Sequence, residues 1–429
     1  MGKILEAVVA KDFNHPSVLM YSIGNEIFEN CTRIGAVWNR KLANKIRSLD
    51  SARYVTNGVN PLINTFDELE GDINDAMTAL QGAANDVVAS ASVRACIRQS
   101  SDSLDLLGLN YARGAYEPEL KENPNQILFG SETYPPDIDL NWKLVKKYPA
   151  LIGDFTWTGW DYIGEAGVGY EKHDENPSFF AKWPVYLAYC GDLNLIGDRR
   201  PMSYFREIVF GLRDKPYIAV QNPAFYEVQK HVTPWATEDS RSSWTWNGWE
   251  EKPCIVEVFS DAEEVELFCN GKSLGRKEAG EKARYRTQYI TEYIPGTLEA
   301  AAYYQDERPD AFYRLETAGE AVRIDVEADR TLLQADGQDL AFITVSLKDK
   351  NGILNDWERK TITVTVEGAG VLQGMGTGDP CSETSFQVNT HQTFEGRLLA
   401  VVRACAVGEI RVVCNCEGMP TKELLLTVR

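Results

Sequence analysis

The sequence contains no stretch approaching the roughly 18 apolar residues of a membrane-spanning helix, so no membrane span is expected. Its first residues, Met1-Gly-Lys-Ile-Leu-Glu-Ala7, lack the apolar run followed by small residues that marks a secretory signal. Basic residues are in deficit: 44 Lys and Arg stand against 63 Asp and Glu, a formal charge of −19. That acidity argues against a nucleic-acid partner or an anionic membrane surface, both of which are usually met by basic patches. Nine cysteines occur without CxxC or Cys/His metal spacing, and the closest pair, Cys414 and Cys416, alternates along an apparent strand. Reduced thiols in a cytoplasmic protein are the plain expectation. There is no internal repeat and no low-complexity tract. With 429 residues, 44% of them hydrophobic, the chain has material for two to four domains at roughly 100–200 residues each.

Two regimes are present. As far as about Gly211, short apolar runs alternate with helical patterns: Val18–Ile23, Tyr54–Val59, Leu104–Tyr111, Gln126–Ser131 and Leu151–Thr158, with helical spacing over Thr32–Leu49. Near-continuous apolar strands separated by helices predict a parallel sheet covered on both faces. The Ala- and Asp-rich segment Pro61–Ser100 reads as an enlarged helical excursion between two strands. Beyond Lys215 the apolar and polar residues alternate, as in Glu264–Cys269, Ala341–Leu347 and Thr361–Val366. Turn pairs such as Asn270-Gly271, Asp336-Gly337 and Asn351-Gly352 separate these runs, which predicts antiparallel sandwiches. A break near Thr317-Ala318-Gly319 divides this half into two blocks of about 100 residues, the usual sandwich size.

Two of the apolar strands end in a glutamate: Val18-Leu-Met-Tyr-Ser-Ile-Gly-Asn25-Glu26 and Ile127-Leu-Phe-Gly-Ser131-Glu132. A carboxylate at the tip of a buried strand is costly unless solvated or paired, so two of them suggest a shared site. Glycoside hydrolysis needs such a pair, one carboxyl to protonate the leaving oxygen and one ionised to attack or to activate water. The plain alternative is that each glutamate caps the next helix, and spacing alone does not decide between the two.

The wider motifs do. Asn14-His15-Pro16-Ser17 through Asn25-Glu26 closely resembles the acid/base signature of glycoside hydrolase family 2, and Phe129-Gly-Ser-Glu132 resembles that family's nucleophile strand. Leu107-Gly-Leu-Asn110-Tyr111-Ala-Arg113 is similar to its sixth barrel strand. Gly153-Asp-Phe-Thr-Trp157-Thr-Gly-Trp160-Asp161-Tyr-Ile-Gly-Glu165 is similar to the eighth. Trp246-Asn-Gly-Trp249 through Val265-Glu-Leu-Phe-Cys-Asn270-Gly271 resembles the accessory sandwich of family 2 β-galactosidases. Leu333-Gln-Ala-Asp-Gly337-Gln-Asp-Leu-Ala341 resembles their terminal immunoglobulin-like domain.

The resemblance implies strands four to eight of a (β/α)8 TIM barrel over 1–212, an accessory β-sandwich over 213–318, and an immunoglobulin-like β-sandwich over 319–429. It implies Glu26 as general acid/base with a raised pKa, and Glu132 as an ionised nucleophile. Asn25 would hold the sugar 2-hydroxyl, Tyr111 would donate to Glu132, and Trp157 would stack on the sugar. Asp161 and Glu165, just past the eighth strand, are candidates for binding hydroxyls, although exposed loop acids are commoner. For Tyr111 and Trp157 the competing reading is a large ring at a strand end. The cluster Trp235, Trp244, Trp246 and Trp249 reads first as core and interdomain packing. Asp379, after the glycine-rich turn Gly374-Met-Gly-Thr-Gly378, is not followed by a helix, so it is no phosphate loop.

Substrate reads less directly. The family's glucuronidases carry an Asn-x-Lys motif after the eighth strand, and nothing between Gly164 and Gly211 reads that way. Gly191-Asp-Leu-Asn-Leu-Ile-Gly-Asp-Arg-Arg-Pro201 looks instead like the matching stretch of galactosidase-type members, so a β-galactoside is expected ahead of a β-glucuronide. No cofactor is certain; the resemblance allows a magnesium or sodium ion whose ligands are not identifiable in this chain. The sequence begins just before what resembles the fourth strand. The expected partners are therefore a carbohydrate substrate, together with further copies of the chain or a polypeptide supplying the remaining barrel strands. A catalytically inactive fragment serving as a carbohydrate-binding or scaffold module is the competing reading, and an adhesin-like sandwich protein a third.

Overall fold

The computed structural model describes residues 2–63, 84–173, 178–305 and 308–429. The chain divides into two compact units, residues 1–159 with 232–236, and residues 160–231 with 237–429. The expected 1–212 barrel segment thus spans both. Half of the expected excursion over Pro61–Ser100, residues 64–83, lies outside the described residues; of the remainder, Ala84–Val88 and Ala91–Ser101 are helices. No helix among the described residues is long and apolar enough to cross a membrane.

The first unit is built on a five-stranded parallel sheet: β1 (Met20–Asn25), β2 (Tyr54–Val59), β3 (Leu107–Asn110), β4 (Leu128–Thr133) and β5 (Leu151–Thr156), side by side in chain order. Strands joined through helices and paired in sequence order are the arrangement of a (β/α) barrel wall. Burial is fullest in the middle of the wall: all four residues of β3 are buried and only Tyr54 of β2 is exposed, whereas on β5 only Leu151 is buried. The helix Arg33–Leu49 shows how local sequence supports this wall. Thr32 caps it by accepting from the Gly35 amide at 3.1 Å, and Gly35, Asn39, Ala43 and Ile46 form its buried stripe. Gly35 is required there, since a Cβ would lie 1.9 Å from the Glu29 carbonyl oxygen of the preceding loop. Arg53 locks the entrance to β1 by donating to the carbonyls of Phe13, His15 and Val18 while pairing with Asp50 at 2.5 Å.

In the second unit, Tyr217–Gln221 and Pro253–Phe259 belong to one four-stranded sheet, and Glu264–Cys269 and Thr297–Tyr303 to another. Trp244, Trp246, Val256, Leu267 and Tyr289 fill the core associated with them. A second pair of sheets holds Arg323–Ala328, Leu340–Lys348, Arg397–Ala404 and Gly370–Gly376 on one side. Thr361–Gly368, Gly408–Cys416 and Lys422–Val428 lie on the other. These strands alternate as the sequence predicts: Arg397–Ala404 is buried at every second residue. Cys414 and Cys416 are both buried, on one face. The segment 160–211 carries little regular strand, and it is held within the second unit by local contacts such as Tyr186 N to Pro380 O at 3.0 Å and Arg397 to Asp198 at 3.5 Å.

Candidate active site

The ends of β1, β3 and β4, on the C-terminal edge of the five-stranded sheet, carry the candidate chemistry. Pairing between β1 and β2 shifts register between Ser22 and Asn25, and between β3 and β4 it shifts between Leu109 and Asn110. Such bulges re-aim side chains at strand ends. Here the second shift sets Asn110 opposite Glu132. Glu26 and Tyr111, each the first residue beyond its strand, take left-handed backbones with φ of 48° and 54°. That conformation is uncommon for non-glycine residues and, when it persists at a site, is held by its surroundings. The holding bonds are the Glu26 amide to Gly58 O at 2.9 Å and the Tyr111 amide to Glu132 O at 2.8 Å.

Two asparagines join the two glutamates. Asn25 Nδ2 donates to Glu132 Oε1 at 3.0 Å, and Asn110 Nδ2 donates both to Asn25 Oδ1 and to Glu26 Oε1 at 3.1 Å. Asn60 Nδ2 adds a second donor to Glu26 Oε1 at 2.8 Å, and Ser131 Oγ donates to Asn110 Oδ1 at 2.5 Å. Gly58 leaves room for this arrangement, because a Cβ there would lie 2.2 Å from Asn25 Oδ1. Neither glutamate caps a helix. Beneath the loop that follows Glu26, a buried amide cluster sets the backbone: Asn57 Nδ2 donates to Asn30 Oδ1 at 3.2 Å and to Asn39 Oδ1 at 3.3 Å.

Tyr111 lies between the carboxylate and an aromatic wall. Trp235 Nε1 donates to the Tyr111 hydroxyl at 3.0 Å, and that hydroxyl in turn hydrogen-bonds Glu132. Because the phenol oxygen accepts from the indole, its own hydrogen is left to point at the carboxylate. Tyr134 stacks on Tyr111 with ring centroids 4.5 Å apart, and Trp235 meets both edge-on at 5.0 Å. Burial, then the Glu132 charge, holds the Tyr111 hydroxyl far above its ordinary pKa, so it stays protonated as a donor. Burial also raises Glu132, with the Glu26 charge adding to the effect, while donors from Tyr111, Asn25 and Asn110 pull it back. The ionised nucleophile expected from the sequence therefore depends on those three donors.

The remaining expected residues divide. Trp157 stands just past β5, half-buried, its amide donating to Thr133 O at 3.0 Å. Asp161 belongs to the second unit and is buried; its Oδ1 accepts from the amides of Tyr189 at 2.6 Å and Tyr162 at 3.0 Å. Burial raises its pKa to about 6, against the opposing Arg200 charge. Those two bonds clasp the loop through Oδ1. Glu165, exposed, accepts from the Tyr162 hydroxyl. The sequence reading assigned no role to Asn60, Asn110, Ser131 or Tyr134, and it placed Trp235 in packing. Two of them carried a signal, Asn110 by its place in the quoted Leu107–Arg113 motif and Ser131 by its place beside Glu132 in the quoted Phe129–Glu132 motif. For a metal ion the donor set is missing: among the described residues no group of three or more His, Cys, Asp or Glu could hold one.

Comparison with known proteins bears on the family and the fold. Residues 1–100 match the family model described as glycosyl hydrolases family 2, TIM barrel domain. Residues 324–425 match glycoside hydrolase family 2 C-terminal domain 5, and residues 251–309 match a domain of unknown function. The chain is 26% identical to Beta-galactosidase BoGH2A of Bacteroides ovatus over 97% of its own length and 50% of that protein. It is 23% identical to a putative beta-glucuronidase of Formosa agariphila over 88% of its length and 35% of that protein. A crystal structure of a family 2 member from Bacteroides cellulosilyticus superposes with TM-score 0.84 at 34% identity, covering 100% of this chain and 51% of that one. The chain thus spans between 35% and 51% of the length of these relatives. Ordered barrel motifs, the asparagine-joined glutamates and these matches agree: the chain belongs to glycoside hydrolase family 2, as the C-terminal portion that carries part of the catalytic barrel and the sandwiches.

Proposed function

We propose that this chain carries the two catalytic carboxylates of a retaining β-glycosidase acting on terminal β-galactosides. The observation that carries the reading is the pair Glu26 and Glu132, at the ends of β1 and β4 in one sheet, joined through Asn25 and Asn110. Glu132 attacks the anomeric carbon as the glycosidic bond breaks, while Glu26 delivers its proton to the departing oxygen. Glu26 then takes a proton from water, which attacks the same carbon and releases Glu132, and two inversions leave the configuration retained. Tyr111 supports the first step by keeping Glu132 ionised and assists the second by stabilising the carboxylate as it leaves. Asn25 lies beside the nucleophile, where a sugar 2-hydroxyl would compete for its amide.

The galactoside preference is supported by the Beta-galactosidase BoGH2A likeness, by the Gly191–Pro201 stretch and by the missing Asn-x-Lys motif. The likeness to a putative beta-glucuronidase supports a β-glucuronide as the competing substrate. Parallel assays with 4-nitrophenyl β-galactoside and β-glucuronide decide between them. Turnover of the galactoside in excess of the glucuronide is expected, and the reverse order would reassign the substrate.

A further inference from the structure

The turn that follows the strand Gly370–Gly376, and the glycines that lead into it, do not belong to the site above, yet they are built to a close tolerance. A Cβ on Gly378 would lie 2.4 Å from Asn194 Nδ2. Asp379 pairs with Arg359 at 2.7 Å and accepts from the Cys381 amide at 2.9 Å, and Pro380 O accepts from the Tyr186 amide at 3.0 Å. This turn leads to Glu383, whose Oε1 accepts from the indole Nε1 of Trp183 at 3.1 Å.

Trp183 is 70% exposed. Its segment is nonetheless fixed on both sides. The Ala181 amide donates to Ala166 O at 2.7 Å, the Gly164 amide donates to Tyr186 O at 3.2 Å, and Ile163 pairs with Leu187. Gly167, at a φ of +70°, is where the two stretches touch, since a Cβ there would lie 2.2 Å from that of Ala181. Leaving so large an apolar ring in water forgoes the stabilisation of burying it, and fixing its orientation costs further side-chain entropy. A tryptophan whose N–H is held at its edge by Glu383 presents an amphipathic ring with one apolar face open to a ligand.

We propose that Trp183 and Glu383 form a saccharide platform in the second unit. A pyranose ring lays its C–H face on the indole, and its rim hydroxyls donate to the Glu383 carboxylate, whose Oε2 makes no hydrogen bond among the described residues. β-Galactopyranosides fit best, because their axial 4-hydroxyl leaves the hydrogens on C3, C4 and C5 together on one face. The choice of a sugar rests on the glycosidase reading; the platform geometry does not.

The test is ligand-observed saturation-transfer NMR with lactose and methyl β-galactoside, together with calorimetric titration, on the whole chain carrying Glu132→Gln so that nothing is turned over. Trp183→Ala should weaken association at least about tenfold, and Trp183→Phe by less, since a ring face remains. Glu383→Ala should weaken binding, whereas Glu383→Gln, which keeps an acceptor for the indole N–H, should hold it within about threefold. An unchanged dissociation constant in Trp183→Ala, or no saccharide signal from the parent chain, would overturn the platform. So would Trp183-dependent self-association without saccharide binding, which would make this face a protein contact. Binding that depends on Trp183 supports the platform whatever the assembled enzyme hydrolyses, so failure of the catalytic reading is told apart from failure of the platform.

Discussion

Glu26 and Glu132 share one hydrogen-bond network, so substitutions in it should separate by role. Glu132→Gln should lower turnover by several orders of magnitude for every substrate, because no nucleophile remains. Glu26→Ala should cost roughly 10²–10⁴-fold with poor leaving groups and far less with nitrophenolates, which need no proton. Equal, mild losses across a leaving-group series would contradict both assignments. A pH profile tests Tyr111. Burial already raises Glu132, and Tyr111 is one of the donors opposing that rise. Removing the donor in Tyr111→Phe should raise the carboxyl pKa further. The reactive form is the anion, so the acid limb of kcat/KM must move to higher pH; a limb that stays or moves down would contradict the contact. Gly58→Ala is the sharpest steric probe. Its Cβ would displace Asn25 Oδ1, and loss of the Asn25 bond to Glu132 should cost about 1–3 kcal/mol of transition-state stabilisation, about 5–150-fold in kcat/KM.

Among the elements, the strands were legible and their tips were not. Glu264–Cys269 and Tyr54–Val59 form with the boundaries the patterns predict, because a period of two or an unbroken apolar run is a property of the residues themselves. The shifts of register at Asn25 and Asn110 leave no such trace, since they depend on what the neighbouring strand offers. Trp235 is the extreme case: 124 residues separate it from Tyr111, and nothing local announces that residues 232–236 join the first unit. Two predictions belong here. Asn57→Ala would strand the amide partners of Asn30 and Asn39 and should destabilise the first unit by about 1–3 kcal/mol in urea unfolding; a change within error would mean that the cluster is not needed. The block 319–429 should unfold cooperatively when expressed alone, because a hydrophobic core running from Ala321 to Val428 lies wholly within it. An uncooperative, dye-binding species would contradict that.

For the whole molecule, the sheet that carries the site ends at β1 on one side and β5 on the other. A closed barrel has no such edges, and open edge strands recruit partners. Leu19 and Phe28 flank β1 and are exposed, as are Ile152 and Phe155 on β5. We propose that self-association, or a polypeptide completing the wall, covers these edges; size exclusion with light scattering reads it directly, and a fully active monomer of 48.1 kDa would contradict it. Within whichever assembly turns over substrate, the most direct measurement is covalent trapping. A 2-deoxy-2-fluoro-β-galactosyl fluoride slows both steps but keeps a good leaving group, so the glycosyl-enzyme accumulates and its peptide can be sequenced by mass spectrometry. The account predicts one sugar on Glu132, and none in Glu132→Gln. A sugar on any other residue, or undiminished turnover in Glu132→Gln, would contradict it.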